Sequence, residues 1–426
     1  MTAVVTTIAT DTPVAAPRAW KAPIALGVLA VLGALMLVGF GHGGEVDIDF
    51  TAGNTGAVRI PVIPVVVRPA TLAIALVCVL LAGASVLYSV GRRKVPGWYI
   101  ALYTSVLFVG FLVWATPGGK TIQFTGMLVQ GLALATPIVY GSIGGVLCER
   151  VGVVNVAIEG QLLLGAFVSA VAASLTHSVV VGLVSAMAAG LLVAFVLGAF
   201  AIRYLVNQVI IGVVLNGLVL GLTTFLYQTL LADDQSTLNA PPLLNAVPIP
   251  GLSLIPIIGP LFFDQTVIVY LLYAAVAAIA IGLYRTPWGL RVRAVGEHPQ
   301  AADTVGIDVG RTRFWNVALA GAIVGLGGSY FTLGNVGAFS QNMTSGLGYI
   351  ALAAVIFGGW NPVRAALAGL LFGFANELQY LLGQLGSPVP SQFLLMVPYV
   401  VTVVAVAGFV GRVRPPAASG RPYLKG

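Results

Sequence analysis

Two carboxylates stand in stretches otherwise apolar enough for hydrocarbon: Glu159 in VGVVNVAIEGQLLLGAF and Glu377 in FGFANELQYL. An ionised carboxylate is expensive inside a bilayer, so it faces protein or a wet cavity and is a candidate for solute or proton traffic. Asn155 precedes Glu159 by four residues, which places both on one face of a helix containing them. Asn376 adjoins Glu377, and Asn216 falls within the apolar run 209–231. Together these side chains could line a polar cavity suited to a hydroxyl-rich or heterocyclic ligand. Structural alternatives stay open: Glu159 could pair with Arg150 or cap a neighbouring helix, and the amides could hydrogen-bond between helices.

Two further segments carry chemistry. The run GGSYFTLGNVGAFSQNMTSGLG (Gly327–Gly348), with Asn335 and Gln341, is too polar and glycine-rich for a lipid-exposed helix. Irregular backbone at membrane depth survives where protein or a wet cavity satisfies its amides, so this run is expected to line the mouth of a pathway. The second is RTPWGLRVRAVGEHPQAADTVGI (Arg285–Ile307), continuing through Arg311 and Arg313. Its arginines alternate with Glu297, Asp303 and Asp308 and with apolar Val292, Val295 and Val305. Short amphipathic helices broken by glycine and proline would fold this mixture into a compact knob with a docking surface.

Other chemistries are excluded. GGKT at 118–121 imitates a phosphate loop, but the required earlier glycine is Trp114. Cys78, Cys148, His42, His177 and His298 are scattered, with neither metal-site nor disulfide spacing. The acidic group Glu45, Asp47 and Asp49 lacks a catalytic partner, so a membrane enzyme is not expected.

The elements that must hold these residues follow from composition. With 58% hydrophobic and only 8% charged residues, the chain is no ordinary soluble domain, where about a quarter are charged. Apolar runs fall at 23–40, 70–90, 99–116, 125–147, 155–176, 179–200, 209–231, 265–284, 314–333, 347–360, 364–382 and 392–411. Most match the roughly 20 residues that span hydrocarbon, and their continuity excludes a β-barrel. The expectation is an all-α polytopic membrane protein of about 11–12 hydrophobic segments, with 347–360 short enough to be re-entrant. Threading the runs in alternation gathers every Lys and Arg on one face except Arg59, Arg68 and Lys120. By the positive-inside rule that face is cytoplasmic, with both termini on it. The net charge of +7 is thereby a topology signal rather than a nucleic-acid footprint. Residues 1–22 are expected to be a disordered cytoplasmic N-terminus and 412–426 a cytoplasmic tail. Segment 23–120 reads as an N-terminal transmembrane extension, and 121–411 as the motif-rich core with its polar loop 285–313. Loops 41–69 and 232–264 are long enough for a structured external rim. The pairs Gly141/Gly145, Gly321/Gly325 and Gly369/Gly373 predict close helix packing.

At these residues the chain resembles the permease subunits of binding-protein-dependent ABC importers, in the branch for branched-chain amino acids, simple sugars and nucleosides. The wording is most similar to the nucleoside permeases. Their ER-x-G-V-x-N-x-x-x-E-G block is matched by Glu149, Arg150, Gly152, Val153, Asn155, Glu159 and Gly160. Their RT-x-x-G-x-x-x-RA-x-G loop is matched by Arg285, Thr286, Gly289, Arg293, Ala294 and Gly296, and its continuation by Ala301, Ala302, Gly306 and Ile307. A third block, MTSG-x-G-x-IALAAVIFG-x-WNP, covers Met343–Pro362. The resemblance implies a nucleoside importer, or one for a related solute such as a simple sugar. It also implies a separate ATPase subunit that binds ATP and Mg, a second and non-identical permease subunit, and an external solute-binding protein or lipoprotein. No cofactor is expected on this chain. Arg285, Gly289, Arg291, Arg293, Gly296, Glu297, Ala301 and Ala302 would then meet the ATPase. Asn155, Glu159, Asn216, Asn335, Gln341, Asn376 and Glu377 would border the solute path in the bacterial cell membrane. The competing expectation is an ion-coupled secondary transporter with Glu159 or Glu377 as proton carrier.

Overall fold

The computed structural model describes residues 20–40, 43–51, 60–390, 392–396 and 414–424. The expected disordered N-terminus therefore lies almost wholly outside the described residues, as does most of the run at 392–411. Ten helices among the described residues are long and apolar enough to cross a membrane. The chain divides into two compact units.

The first unit is Met1–Asp49, Val62–Ile122 and Gln384–Val389. It holds α1 (Lys21–Ala34, wound on more widely to Gly39), strands β1 (Glu45–Asp49) and β2 (Ile63–Val66), α2 (Val67–Val90), α3 (Gly97–Ala115) and the start of β3 (Thr121–Gln123). β1 and β2 pair antiparallel with Glu45 opposite Val66, so the 41–69 connection carries structure of its own. Buried tyrosines tie the three helices. Tyr103 donates to Leu26 O at 3.1 Å, and Tyr99 donates to Leu81 O.

The second unit is Phe50–Pro61, Gln123–Gly383 and Pro390–Gly426. Its helices are α4 (Phe124–Arg150), α5 (Ile158–Thr176), α6 (Val179–Gly198), α7 (Gln208–Leu226), the short α8 (Gln235–Leu238), α9 (Val267–Arg285), α10 (Pro287–Glu297), α11 (Pro299–Thr304), α12 (Val309–Ser329), α13 (Leu347–Phe357) and α14 (Pro362–Leu385). α4, α5 and α12 are mostly buried, while α6, α7 and α9 turn apolar side chains outward. The glycine pairs set the helix crossings. A Cβ on Gly190 of α6 would lie 2.1 Å from Gly321 O of α12, and one on Gly325 would lie 2.2 Å from Ala186 O. Gly373 of α14 likewise meets the backbone of Ala135 in α4 at 2.5 Å. Such contacts allow dispersion to hold helices together where lipid offers no hydrophobic drive.

One apolar helix stops short of a span, and another starts inward of its neighbour's end. α13 has 11 residues, about 16 Å of rise against a hydrocarbon thickness of roughly 30 Å. It is a half-helix lying on α4, with Ala351 against Gly141 and Val355 against Gly145. Ile158, where α5 begins, touches the same two glycines, so α5 starts about 7–14 Å inward from the end of α4 at Arg150. The intervening Val151–Ala157 is irregular, with Gly152 at φ +92° opening the turn. The polar loop is also shorter than 285–313. Asp308 accepts from Arg311 N at 2.9 Å and caps α12, which begins at Val309. Arg311 and Arg313 thus belong to a helix, and Arg313 is buried.

Candidate functional site

The start of α5, the middle of α7 and the half-helix α13 meet in one buried polar cluster. Glu159 is its centre. Oε1 accepts from Thr344 Oγ1 at 2.6 Å and from Gly346 N at 2.8 Å, while Oε2 accepts from Gly348 N at 2.7 Å. These are donors at the N-terminus of α13, where four backbone N–H groups lack helical partners and the dipole favours negative charge. Three charge-assisted bonds and a helix end satisfy a carboxylate that would otherwise be prohibitive at this depth. A Cβ on Gly348 would lie 2.5 Å from Glu159 Cα, so no larger residue could bring its amide this close. Of the alternatives left open by sequence, Glu159 is the cap of a neighbouring helix. Arg150 is engaged elsewhere, donating from Nε to Trp360 O at 2.7 Å.

Asn216 and Asn155 complete the cluster. Asn216 Oδ1 accepts from Gly160 N at 2.8 Å, and its Nδ2 donates to Val156 O at 2.8 Å and to Tyr349 Oη at 3.1 Å. Asn155 Oδ1 accepts from Ala157 N at 3.1 Å, and its Nδ2 donates to Gln161 Oε1 at 3.0 Å. Both amides therefore close the irregular entry to α5, and Asn216 also reaches α13. The remaining expected path residues lie apart. Asn335 and Gln341 are exposed in the segment between α12 and α13. Asn376 donates back to Phe372 O at 3.1 Å, and half-buried Glu377 follows one turn beyond Gly373. Among the described residues no hydrogen bond joins these four to the Glu159 cluster.

The arginine-rich knob forms a second site. Thr286 caps α10, accepting from Gly289 N at 3.2 Å and donating to Gly282 O at 2.7 Å. Val292 and Val295 are fully buried, and two glycines seat the helix. A Cβ on Gly289 would lie 2.2 Å from Gly282 O, and one on Gly296 would lie 2.1 Å from Arg150 O. Arg293 lies over the Tyr284 ring at 5.4 Å and reaches Gly289 O at 3.3 Å. Arg150 Nη2 contacts Tyr284 Oη at 3.3 Å. Trp360 closes the junction by donating from Nε1 to buried Glu149 Oε2 at 2.5 Å. Outside this anchor Arg285, Arg291, Glu297 and Ala301 are exposed, as are Leu290 (62%) and Val305 (75%), while Ala302 is buried. The knob thus joins a rigid seat on α4 and α9 to a mixed apolar and charged outer face.

Residues 127–406 match the family described as branched-chain amino acid transport system, permease component. The guanosine ABC transporter permease protein NupQ of Bacillus subtilis is 40% identical over 321 residues, covering 72% of this chain and 98% of the relative. The chain belongs to this permease family. The nucleoside ABC transporter permease protein NupC of Lactococcus lactis is 39% identical over 316 residues, again 72% of this chain and 98% of the relative. A second B. subtilis guanosine permease, NupP, is 28% identical over 326 residues, 75% of this chain and 86% of the relative. No solved structure matches the chain.

As a permease subunit the chain is a multi-pass membrane protein and not itself an enzyme. Among the described residues no group of three or more His, Cys, Asp or Glu is placed to hold a metal ion. Several residues central to both sites escaped reading by polarity alone. Thr344, Tyr349, Trp360 and Tyr284 have their partners far away in the chain, so spacing carries no signal for them. The signal was present in another form, since Thr344 and Trp360 fall in the MTSG and WNP blocks.

Proposed function

We propose that this permease is one of two membrane subunits of an ABC importer that carries nucleosides, or a related small polar solute, into the cell. The nucleoside class rests on the names of NupQ and NupC, and a non-identical second permease on the pairing of NupQ with NupP in one organism. ATP and Mg would act on separate ATPase subunits, and an external solute-binding protein would deliver the solute. The arginine-rich end, with the knob and both termini, faces the cytoplasm in this reading. Residues 23–120 are then an N-terminal extension and 121–411 the permease core.

The observation that carries the reading is the seat of the knob. Gly296 presses on the last carbonyl of α4, and Arg150 and Glu149 there grip Trp360 at the turn leaving α13. A displacement imposed on α10 by the ATPase reaches α4 and the half-helix without passing through a flexible loop. Packed elements of this kind move as rigid bodies between discrete arrangements. At its other end α13 is held by Glu159, so the Asn155–Glu159–Asn216 cluster is the pivot beside the solute path. Asn335, Gln341, Asn376 and Glu377 border that path.

Arg293→Glu tests this reading. It reverses a charge at the knob and abolishes the contact with Tyr284 at the end of α9. The expected outcome is normal membrane insertion with loss of ATPase co-purification and of uptake. Unchanged co-purification and uptake would overturn the docking role.

A further inference from the structure

The C-terminal segment lies on the knob. Ala418 N donates to Gly296 O at 2.9 Å, and Ala417 N donates to Glu297 Oε2 at 3.2 Å. Tyr423 and Asp303 of α11 border one small cleft with Arg313. Loss of hydration, then the neighbouring Asp303, raises the Tyr423 phenol above its ordinary value. Arg313 of α12 donates from Nη1 to Arg421 O at 3.0 Å. Its Nη2 lies 2.8 Å from where a Cβ of Gly152 would stand, and Ala418 O lies 3.2 Å from that point. Eleven residues, 414–424, thus touch the turn after α4, α10, α11 and α12.

Arg313 is an expensive way to make one hydrogen bond. Its side chain is only 2% exposed, and among the described residues Nε and Nη2 have no hydrogen-bond partner. Removing a charge from water is costly, and a well-packed apolar residue of similar volume is often neutral or stabilising in its place. Stability alone therefore gives no account of this arginine. Its position does, because it is where the strap, the α4 turn and the α12 helix converge.

We infer that residues 414–424 form a strap that holds α10 and α11 rigidly on α4 and α12, with Arg313 as the positioning residue that fastens it. This rests on the knob being the ATPase-coupling element. Without the fastening, the knob still binds the ATPase but yields under load, so hydrolysis proceeds with less solute moved per ATP.

The experiment uses the full chain in its reconstituted complex, comparing wild type, Arg313→Met, Arg313→Lys and a variant truncated after residue 413. Arg313→Met is expected to keep its thermal stability and ATPase co-purification while losing at least half of the solute moved per ATP. Arg313→Lys, which restores a donor, is expected to recover part of the loss. Unchanged solute per ATP in Arg313→Met overturns the inference whether or not the truncated chain folds, and so does a loss fully explained by a fallen melting temperature. Amide hydrogen exchange at Ala417 and Ala418 in the purified permease tests the strap without the ATPase. Protection in wild type that is lost in Arg313→Met supports a fastened strap, and equal exchange in the two proteins overturns it. If wild type itself recruits no ATPase while the protection holds, the coupling reading fails and the strap geometry does not.

Discussion

Replacing Glu159 removes the acceptor of three donors at once: Thr344 Oγ1 at 2.6 Å, Gly346 N at 2.8 Å and Gly348 N at 2.7 Å. In Glu159→Ala each buried donor loses its partner at about 1–3 kcal/mol, for a total of about 3–6 kcal/mol after partial relaxation. Glu159→Gln is milder. Its amide oxygen can keep Thr344 and Gly346, but its NH2 then faces Gly348 N, donor against donor. The loss is one charge-assisted bond and the favourable interaction with the helix end, about 2–4 kcal/mol. Thr344→Val removes a single bond and costs about 1–2 kcal/mol. Detergent-solubilised variants should therefore melt in the order wild type, Thr344→Val, Glu159→Gln, Glu159→Ala. A Glu159→Ala/Thr344→Val double variant should fall short of additivity, because the two side chains share one bond. Transport should decline in the same order. A Glu159→Ala protein that melts like wild type yet cannot transport would refute the capping argument and make the carboxylate a direct solute or proton ligand.

Two further predictions concern the knob and its seat. Gly296→Ala places a methyl 2.1 Å from Arg150 O, so α10 must lift from α4. Uptake should fall sharply while a Ser or Ala at the open surface position Gly306 (φ +86°), a strained but unpacked site, costs coupling far less; equal effects in reconstituted uptake would contradict the seating argument. Trp360→Phe leaves the buried Glu149 without its indole donor, a cost of about 1–3 kcal/mol in melting measurements. Adding Glu149→Gln to that variant should recover part of the loss by removing the unpaired charge, and a further decline would count against the junction.

The spans were legible because hydrocarbon imposes a length and a composition, and the run 209–231 matches the span Gln208–Leu231 closely. The shortness of 347–360 was visible too, and α13 is a half-helix. The start of α12 was misplaced, because Arg311 and Arg313 read as loop residues. Sequence does not reveal that Asp308 caps a helix there, nor that Arg313 has the Arg421 carbonyl as partner from far along the chain. Glu159 was marked by its cost in lipid, but its role depended on Thr344, Gly346 and Gly348, nearly two hundred residues away. Asn155 and Asn216 were marked by polarity alike and turn out to share that cluster, whereas Asn376 and Glu377 sit on another helix.

Uptake by proteoliposomes tests the central claim most directly. They would hold this permease, its partner permease and the ATPase, with the solute-binding protein outside and a labelled nucleoside supplied. The account predicts uptake that requires internal ATP, persists in the presence of an uncoupler and disappears with Arg293→Glu. Uptake that continues without the ATPase and collapses when the proton gradient is dissipated would contradict it.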